Sequence, residues 1–396
     1  MADIGFALIL NLHQPPGNLE HLLETQEWQA REILWAIDRI PRSLWQHEDI
    51  SRVHLSLSGS LLETLANPDF QSRVYGIVDC GSLLWYLQNT RVIELLGTGY
   101  YHPVLPLIRP ADREEHLHRW RAIGGALFAR DHFPGFWPPE LGFSMDLVPA
   151  LSRHRYRYVI VDSEHVAPLT PMRWEELRYR PHLAEFGGEQ IVVVVRDRDL
   201  SSAQESGMEA DWFISEVTAR TQYCDFPPLV TTATDGENGG WFRNTTPGSN
   251  FWTGFHAGLM ERVLAGHAGG IRPTFISDYL ERHGPYGWVT VGPGAWNTGW
   301  HDGTRFVQWT GSLAQRQALT RVGELSESVH AARRNAIAIG AGSPDLYRHL
   351  EDALALVLRA ETSCNFFWGE AWVQRCHDDL DQATRHLEQA ADLFSS

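Results

Sequence analysis

Short apolar runs alternate with longer amphipathic stretches along the first three quarters of the chain. The runs are Ile4–Leu10, Val53–Ser58, Val92–Leu96, Gly135–Trp137, Tyr158–Val161, Ile191–Val195 and Leu229–Thr234. Several are continuous rather than alternating, the pattern of strands buried on both faces. Helical patterns lie between them, among them Trp28–Ile40, where Ile33, Ile37 and Ile40 share a face, and Arg113–Arg130. Strands alternating with helices predict a parallel sheet, and seven or eight such units predict a barrel. In a barrel of that kind the chemistry gathers at the C-terminal strand ends.

From about residue 311 onward the pattern is helical only. Gly311–Ile339 reads as one helix. Ser343-Pro344-Asp345 is a helix start, with Ser as the cap and Pro at the first position. Leu346, Leu350, Leu354, Val357 and Leu358 follow at helical spacing, and Gly369 breaks this stretch from a last helix, about Glu370 to Phe394. The expectation is a barrel-like α/β domain over 1–310 and a helical bundle over 311–396 packed on it. No internal repeat or low-complexity linker interrupts the chain.

Composition narrows the chemistry. The 396 residues carry 49 acidic and 33 basic side chains, for a net charge of −16, and every basic one is arginine. Without lysine there is no Schiff base, no P-loop lysine and no kinase strand lysine. An acidic chain without basic runs is a poor partner for a nucleic-acid backbone. Sixteen tryptophans suit a neutral substrate with apolar faces, such as a sugar, although buried core indoles explain such a count equally. Met1–Gly5 lacks a charged leader, no run nears the ~18 apolar residues of a membrane span, and Cys80, Cys224, Cys364 and Cys376 have no metal-type spacing. The expectation is a cytoplasmic protein with reduced thiols, no cofactor and no metal. Oligomeric state is not legible.

Several strand ends carry polar chemistry. The first run leads into His13-Gln14-Pro15 and the third into Tyr100-Tyr101-His102-Pro103. The fourth leads into Trp137-Pro138-Pro139-Glu140, a carboxylate in a turn stiffened by prolines. The last leads into Asp235-Gly236-Glu237-Asn238, followed by Trp241. Trp296, Trp300, His301 and Trp309 form a further aromatic cluster. Each has a plainer reading: a histidine capping a loop, a solvated glutamate, a packed indole. Together, Glu140 and Asp235 supply the pair of carboxylates that glycoside cleavage needs, one protonating the leaving oxygen and one attacking or activating water.

Taken in order, these motifs resemble glycoside hydrolase family 57. His13-Gln14-Pro15, Tyr101-His102-Pro103, Phe136-Trp137-Pro138-Pro139-Glu140 and Asp235-Gly236-Glu237 match four of its short stretches, and Ala360–Gly369 resembles the aromatic stretch of its helical domain. The resemblance implies an incomplete (β/α)7 barrel followed by a helical bundle that contributes to the substrate cleft. It implies a retaining enzyme acting on α-glucans or maltooligosaccharides, with Glu140 as nucleophile and Asp235 as acid/base. His13, Gln14, His102, Trp137, Glu237, Trp241, Trp300, His301 and Trp368 are the expected substrate-binding residues. An α-amylase-like hydrolase is expected, with 4-α-glucanotransferase, branching enzyme and α-galactosidase as alternatives. Two other readings stand beside it. A metal-dependent α-mannosidase or polysaccharide deacetylase on a related barrel would need an Asp/His ligand set at the first strand, where His13-Gln14-Pro15 stands instead. A catalytically silent carbohydrate-binding protein would have no use for the retained Glu140 and Asp235.

Overall fold

The computed structural model describes residues 3–296, 305–340 and 343–394. Its strands are β1 (Ile4–Leu12), β2 (Val53–Leu57), β3 (Ile93–Leu96), β4 (Gly135–Phe136), β5 (Tyr158–Asp162), β6 (Val166–Pro168), β7 (His182–Phe186), β8 (Glu189–Arg196), β9 (Leu229–Asp235), β10 (Ile271–Pro273) and β11 (Val289–Val291). All of the expected runs are strands, and β6, β7, β10 and β11 are additional.

The strands fall into mixed rather than purely parallel sheets. β9, β1, β2 and β3 pair side by side in parallel, with β10 also parallel to β1. β4, β5 and β8 form a second parallel set, which β7 extends by an antiparallel hairpin through Gly187-Gly188. Both turn glycines have positive φ, 63° and 82°, as a tight hairpin requires. β6 and β11 form a separate antiparallel pair. A parallel bridge between Gly97 and Phe136 joins the end of β3 to β4. Beyond β8, Asp197 N–H donates to the Thr231 carbonyl of β9 at 2.9 Å.

Strand alternation sorts the core into two layers. Phe6, Leu8 and Leu10 of β1 pack outward with Val53 and Leu55 of β2 and with the helix Glu27–Trp45, through Ile33, Ile37 and Ile40. Ala7 and Ile9 face the other way and meet Leu96, Trp137, Tyr158, Ile160, Val194 and Ala233, which come from the other strands of both parallel sets. That inner face is apolar at its N-terminal end. Continued along β1 in steps of two, it reaches Asn11 and then His13.

The C-terminal region is helical, with long helices Leu313–Ala338, Pro344–Ala360 and Glu370–Phe394. Ser312 and Gln315 form a reciprocal cap on the first, and the Ser343 hydroxyl accepts from Leu346 N–H on the second. Gly369, at φ 95°, turns the chain into the third. Val322, Leu354, Val357, Leu358, Val373 and Leu380 share one core, each full burial contributing about 2 kcal/mol. Polar pairs tie this region to the helix Pro110–Phe128: Ser326 and His330 to Asp112 at 2.5 and 2.8 Å, and Glu361 to His116 at 2.9 Å. Among the described residues no helix is long and apolar enough to cross a membrane.

Candidate active site

The polar strand ends converge on one cavity of about 730 Å³. Its wall includes Asn11 near the end of β1, His13 and Gln14 just after it, His102 after β3, Glu140 after β4, Arg196 at the end of β8 and Asp235 at the end of β9. The helical region closes the other side with Cys364, Phe367, Trp368, Trp372 and Arg375.

Glu140 is held firmly. Its backbone and that of Leu141 are left-handed, at φ 59° and 49°. Non-glycine residues adopt that region at a cost, and such strain recurs at active sites. Pro138 and Pro139 restrict the turn, and Trp296 N–H donates to the Glu140 carbonyl at 3.1 Å. The side chain is 16% exposed and faces the cavity. Its Oε1 accepts from the Ser363 hydroxyl at 2.6 Å and its Oε2 from the Trp296 indole N–H at 2.9 Å. Burial, with the Asp235 charge adding to it, pushes the Glu140 carboxyl up to about 7, against the two hydrogen bonds.

Asp235 sits across a hydrogen-bonded chain from Glu140. Asn11 Nδ2 donates to Asp235 Oδ1 at 3.0 Å and lies 3.4 Å from His102 Nε2. His102 Nδ1 in turn is 3.3 Å from Ser363 Oγ. One assignment satisfies every contact: the Asn11 amide donates to His102 Nε2, His102 Nδ1–H donates to Ser363 Oγ, and Ser363 donates to Glu140. His102 is then neutral, in keeping with burial lowering its pKa to about 3. His13 stacks on it at 4.0 Å between centroids, and burial, then His102, hold His13 well below its ordinary value. His13 Nδ1 contacts Ser58 Oγ at 2.9 Å. Its Nε2, like Asn11 Oδ1, finds no partner among the described residues. Both residues line the cavity wall.

Burial also raises Asp235, against hydrogen bonds from Asn11 and Asn238. Arg196 fixes the floor beside it, bonding the Ala233 carbonyl at 2.8 Å and Asp162 Oδ2 at 2.6 Å. Gly236 lies against β1, donating to the Asn11 carbonyl at 2.8 Å. A Cβ there would come within 3.0 Å of Leu12 and 3.1 Å of Leu10, so any side chain at this point would push on the leucines of β1.

Of the residues singled out from the sequence, His13, Gln14, His102, Glu140, Asp235 and Trp368 meet in the cavity. Three do not line it. Trp137 is fully buried and supports Trp296 edge-on at 5.6 Å, so it offers no face to a sugar. Trp241 packs on the outer core. Glu237 is buried and accepts His13 N–H at 2.8 Å, with Gln14 Nε2 at 3.5 Å. Burial followed by the Asp235 charge holds its carboxyl well above the ordinary carboxylate range. Trp300 and His301 lie outside the described residues. Asn11, Arg196, Ser363, Trp372 and Arg375 were not foreseen. The step of two from His13 back along β1 would have found Asn11.

Residues 20–292 match the family model described as glycosyl hydrolase family 57. An α-amylase of Pyrococcus horikoshii is 28% identical over 203 residues, covering 50% of this chain and 29% of that protein. This chain therefore matches less than a third of that relative's length. Among solved structures, a family 57-type branching enzyme from Pyrococcus horikoshii has a TM-score of 0.72 at 14% identity, over 99% of this chain and 89% of that one. An α-amylase from Thermotoga maritima has a TM-score of 0.69 at 14% identity, over 100% and 93%. At such identities these two likenesses concern the fold alone. The family match extends over the strand ends that carry Glu140, His102 and Asp235, and the chain belongs to glycosyl hydrolase family 57.

Proposed function

We propose that this protein is a retaining α-glucan-active enzyme, α-amylase-like, with Glu140 as nucleophile and Asp235 as acid/base. The observation that carries this reading is the pair itself. Two carboxyls from different strand ends face one cavity, joined through Asn11, His102 and Ser363, and burial raises both above the ordinary carboxylate range. In the first step a Glu140 oxygen bonds to the anomeric carbon as the glycosidic C–O bond breaks, and Asp235 gives its proton to the departing oxygen. In the second, Asp235 takes a proton from water as the water oxygen bonds to that carbon and the ester C–O bond breaks. His13 Nε2 and Asn11 Oδ1 receive sugar hydroxyls.

The parallel strand order β9-β1-β2-β3-β4-β5-β8, with inner residues from most of these strands in one cluster, supports an incomplete (β/α)7 barrel as the frame. We assign the catalytic domain to 1–310 and the helical domain to 311–396. Ser363 and Trp368 are the latter's contributions to the cleft.

Ser363→Ala removes a charge-assisted bond from the nucleophile. We expect kcat to fall roughly tenfold to 100-fold, the range of a lost hydrogen bond to a charged group. Because that bond lowers the Glu140 pKa, the acid limb of kcat/KM moves to higher pH, which a pH–rate profile reads directly. Trp368 is 61% exposed at the mouth of the cavity. Covering ~40 Å² of its ring with sugar contributes about 1 kcal/mol, so Trp368→Ala raises KM for long glucans about fivefold and leaves kcat and melting temperature nearly unchanged.

The test is product analysis on maltooligosaccharides and amylose, with the anomer of the first product read by NMR. Release of the α-anomer with a net gain of reducing ends supports retaining hydrolysis. Longer chains without that gain identify a 4-α-glucanotransferase, and new branch linkages a branching enzyme. First release of the β-anomer contradicts the mechanism. Tight binding without turnover identifies a silent carbohydrate-binding protein.

A further inference from the structure

On the helical region, far from the cavity, two histidines and an aspartate converge. His349 and Asp352 lie three residues apart on the helix Pro344–Ala360, and so on one face of it. His386 projects from the helix Glu370–Phe394. His349 Nδ1 and His386 Nδ1 are 3.0 Å apart, and His386 Nδ1 lies 3.7 Å from Asp352 Oδ2. One donor atom from each residue falls within 4.8 Å of the other two.

At that separation one imidazole Nδ1–H donates to the lone pair of the other, and a metal that took both lone pairs would replace this bond. Zinc bound tetrahedrally at ~2.05 Å holds neighbouring ligand atoms ~3.3 Å apart, and the two observed separations bracket that value. Two imidazoles and a carboxylate are also a donor set that zinc prefers to magnesium or calcium, which take oxygen ligands. All three residues are partly exposed, so an ion can enter from solvent and water can fill a fourth position.

We propose that His349, Asp352 and His386 form a binding site for one zinc-class divalent ion that staples the two helices together. The ion displaces the proton shared by the histidines. It also displaces Arg348, whose NH2 lies 3.1 Å from His349 Nε2 and whose NH1 lies 3.6 Å from Asp352 Oδ2. Leu346, Leu350, Leu387 and Ala390 pack beneath the site, so the staple acts on an already formed helix pair. His349 precedes the end of its helix by eleven residues, ~17 Å along the axis, which separates the ion from the cleft. Its role is structural.

The test uses the full chain, stripped with a chelator and titrated with zinc chloride by calorimetry. One equivalent binds, and the melting temperature rises with each tenfold increase in free zinc. His349→Ala and His386→Ala each weaken binding by more than about 100-fold, since loss of a ligand exceeds the 10–100-fold cost of losing a ligand's own support. Arg348→Ala tightens it. Turnover of glucan by the stripped and loaded enzymes is the same. Should the alanine variants misfold, cobalt(II) absorption of the wild-type protein reports the donors: a nitrogen and oxygen tetrahedral spectrum supports the site. Absence of binding, a cobalt spectrum with thiolate bands, or zinc binding that survives both alanine substitutions overturns it.

Discussion

Glu140→Gln lowers kcat on amylose by about 10,000-fold, while the protein remains folded and binds substrate. The amide keeps the local contacts: its oxygen can accept from the Trp296 indole, and its NH2 can donate to Ser363 Oγ. What it loses is the ability to form the glycosyl ester. With a smaller Glu140→Ala side chain, azide enters the space and attacks the anomeric carbon of an α-glycosyl fluoride, expelling fluoride. The product is then the β-glycosyl azide, which identifies the face that Glu140 occupied. The same Gln substitution raises stability in a pH-dependent way. Burial holds the Glu140 carboxyl at about 7, against an ordinary value of 4.5. Between those values the folded state keeps a proton that the unfolded chain has lost, so stability falls as pH rises through this window, by on the order of 1–3 kcal/mol. Glutamine has no such loss. Its melting temperature therefore exceeds that of the wild type at pH 8, and the gap closes by pH 4.5. Calorimetry at the two pH values checks this, and a gap that grows toward acid pH contradicts it.

Asp235→Asn lowers kcat/KM on amylose by about 100- to 10,000-fold, the range for loss of a general acid. The deficit depends on the leaving group. An α-glucosyl fluoride needs no proton to expel fluoride, so its first step proceeds at close to the wild-type rate. The second step does not, because asparagine takes no proton from water. The ester on Glu140 then accumulates, and rapid-quench measurement shows a burst of one fluoride per active site followed by slow turnover. The alkaline limb of the pH–rate profile disappears with the carboxyl that produced it. Equal losses on amylose and fluoride, with no burst, would move the acid/base role to another residue.

The physics that made the fold legible was repetitive. Ile4–Leu10 and Ile191–Val195 are apolar on both faces, and Leu229–Thr234 mixes apolar residues with threonines small enough to bury; parallel strands covered on both faces demand such runs. Ser312, Ser343 and Gly369 mark helix ends through local chemistry that acts the same way anywhere. β7 carries no strand period, because His182–Phe186 is half polar on an edge, and only Gly187-Gly188 signals its hairpin. β10 and β11, at three residues each, are too short for any period to show.

The site was legible where it lay at the end of a strand and illegible where it came from elsewhere. His13, His102, Glu140 and Asp235 follow recognisable strands. Asn11 was passed over because it lies inside its strand, although the period of two that exposes His13 exposes it as well. Ser363 has no such signal. Its hydroxyl reaches Glu140 because Ser363 N–H bonds the His102 carbonyl at 3.0 Å, a contact across 261 positions of sequence. Tryptophan content misled in the other direction. Trp137 stands next to the catalytic turn in sequence, yet strand alternation sends it into the core, and the adjacent Trp296 touches the carboxylate instead.

The proposed reaction turns on a covalent bond between the sugar and Glu140. A 5-fluoro-α-glucosyl fluoride slows release of the ester more than its formation, so the intermediate can be trapped, digested and read by mass spectrometry. One hexosyl adduct per chain is expected, on the peptide carrying Glu140 and absent from Glu140→Gln. An adduct on Asp235 or on any other carboxylate, or full turnover with no adduct and inverted product, would contradict it.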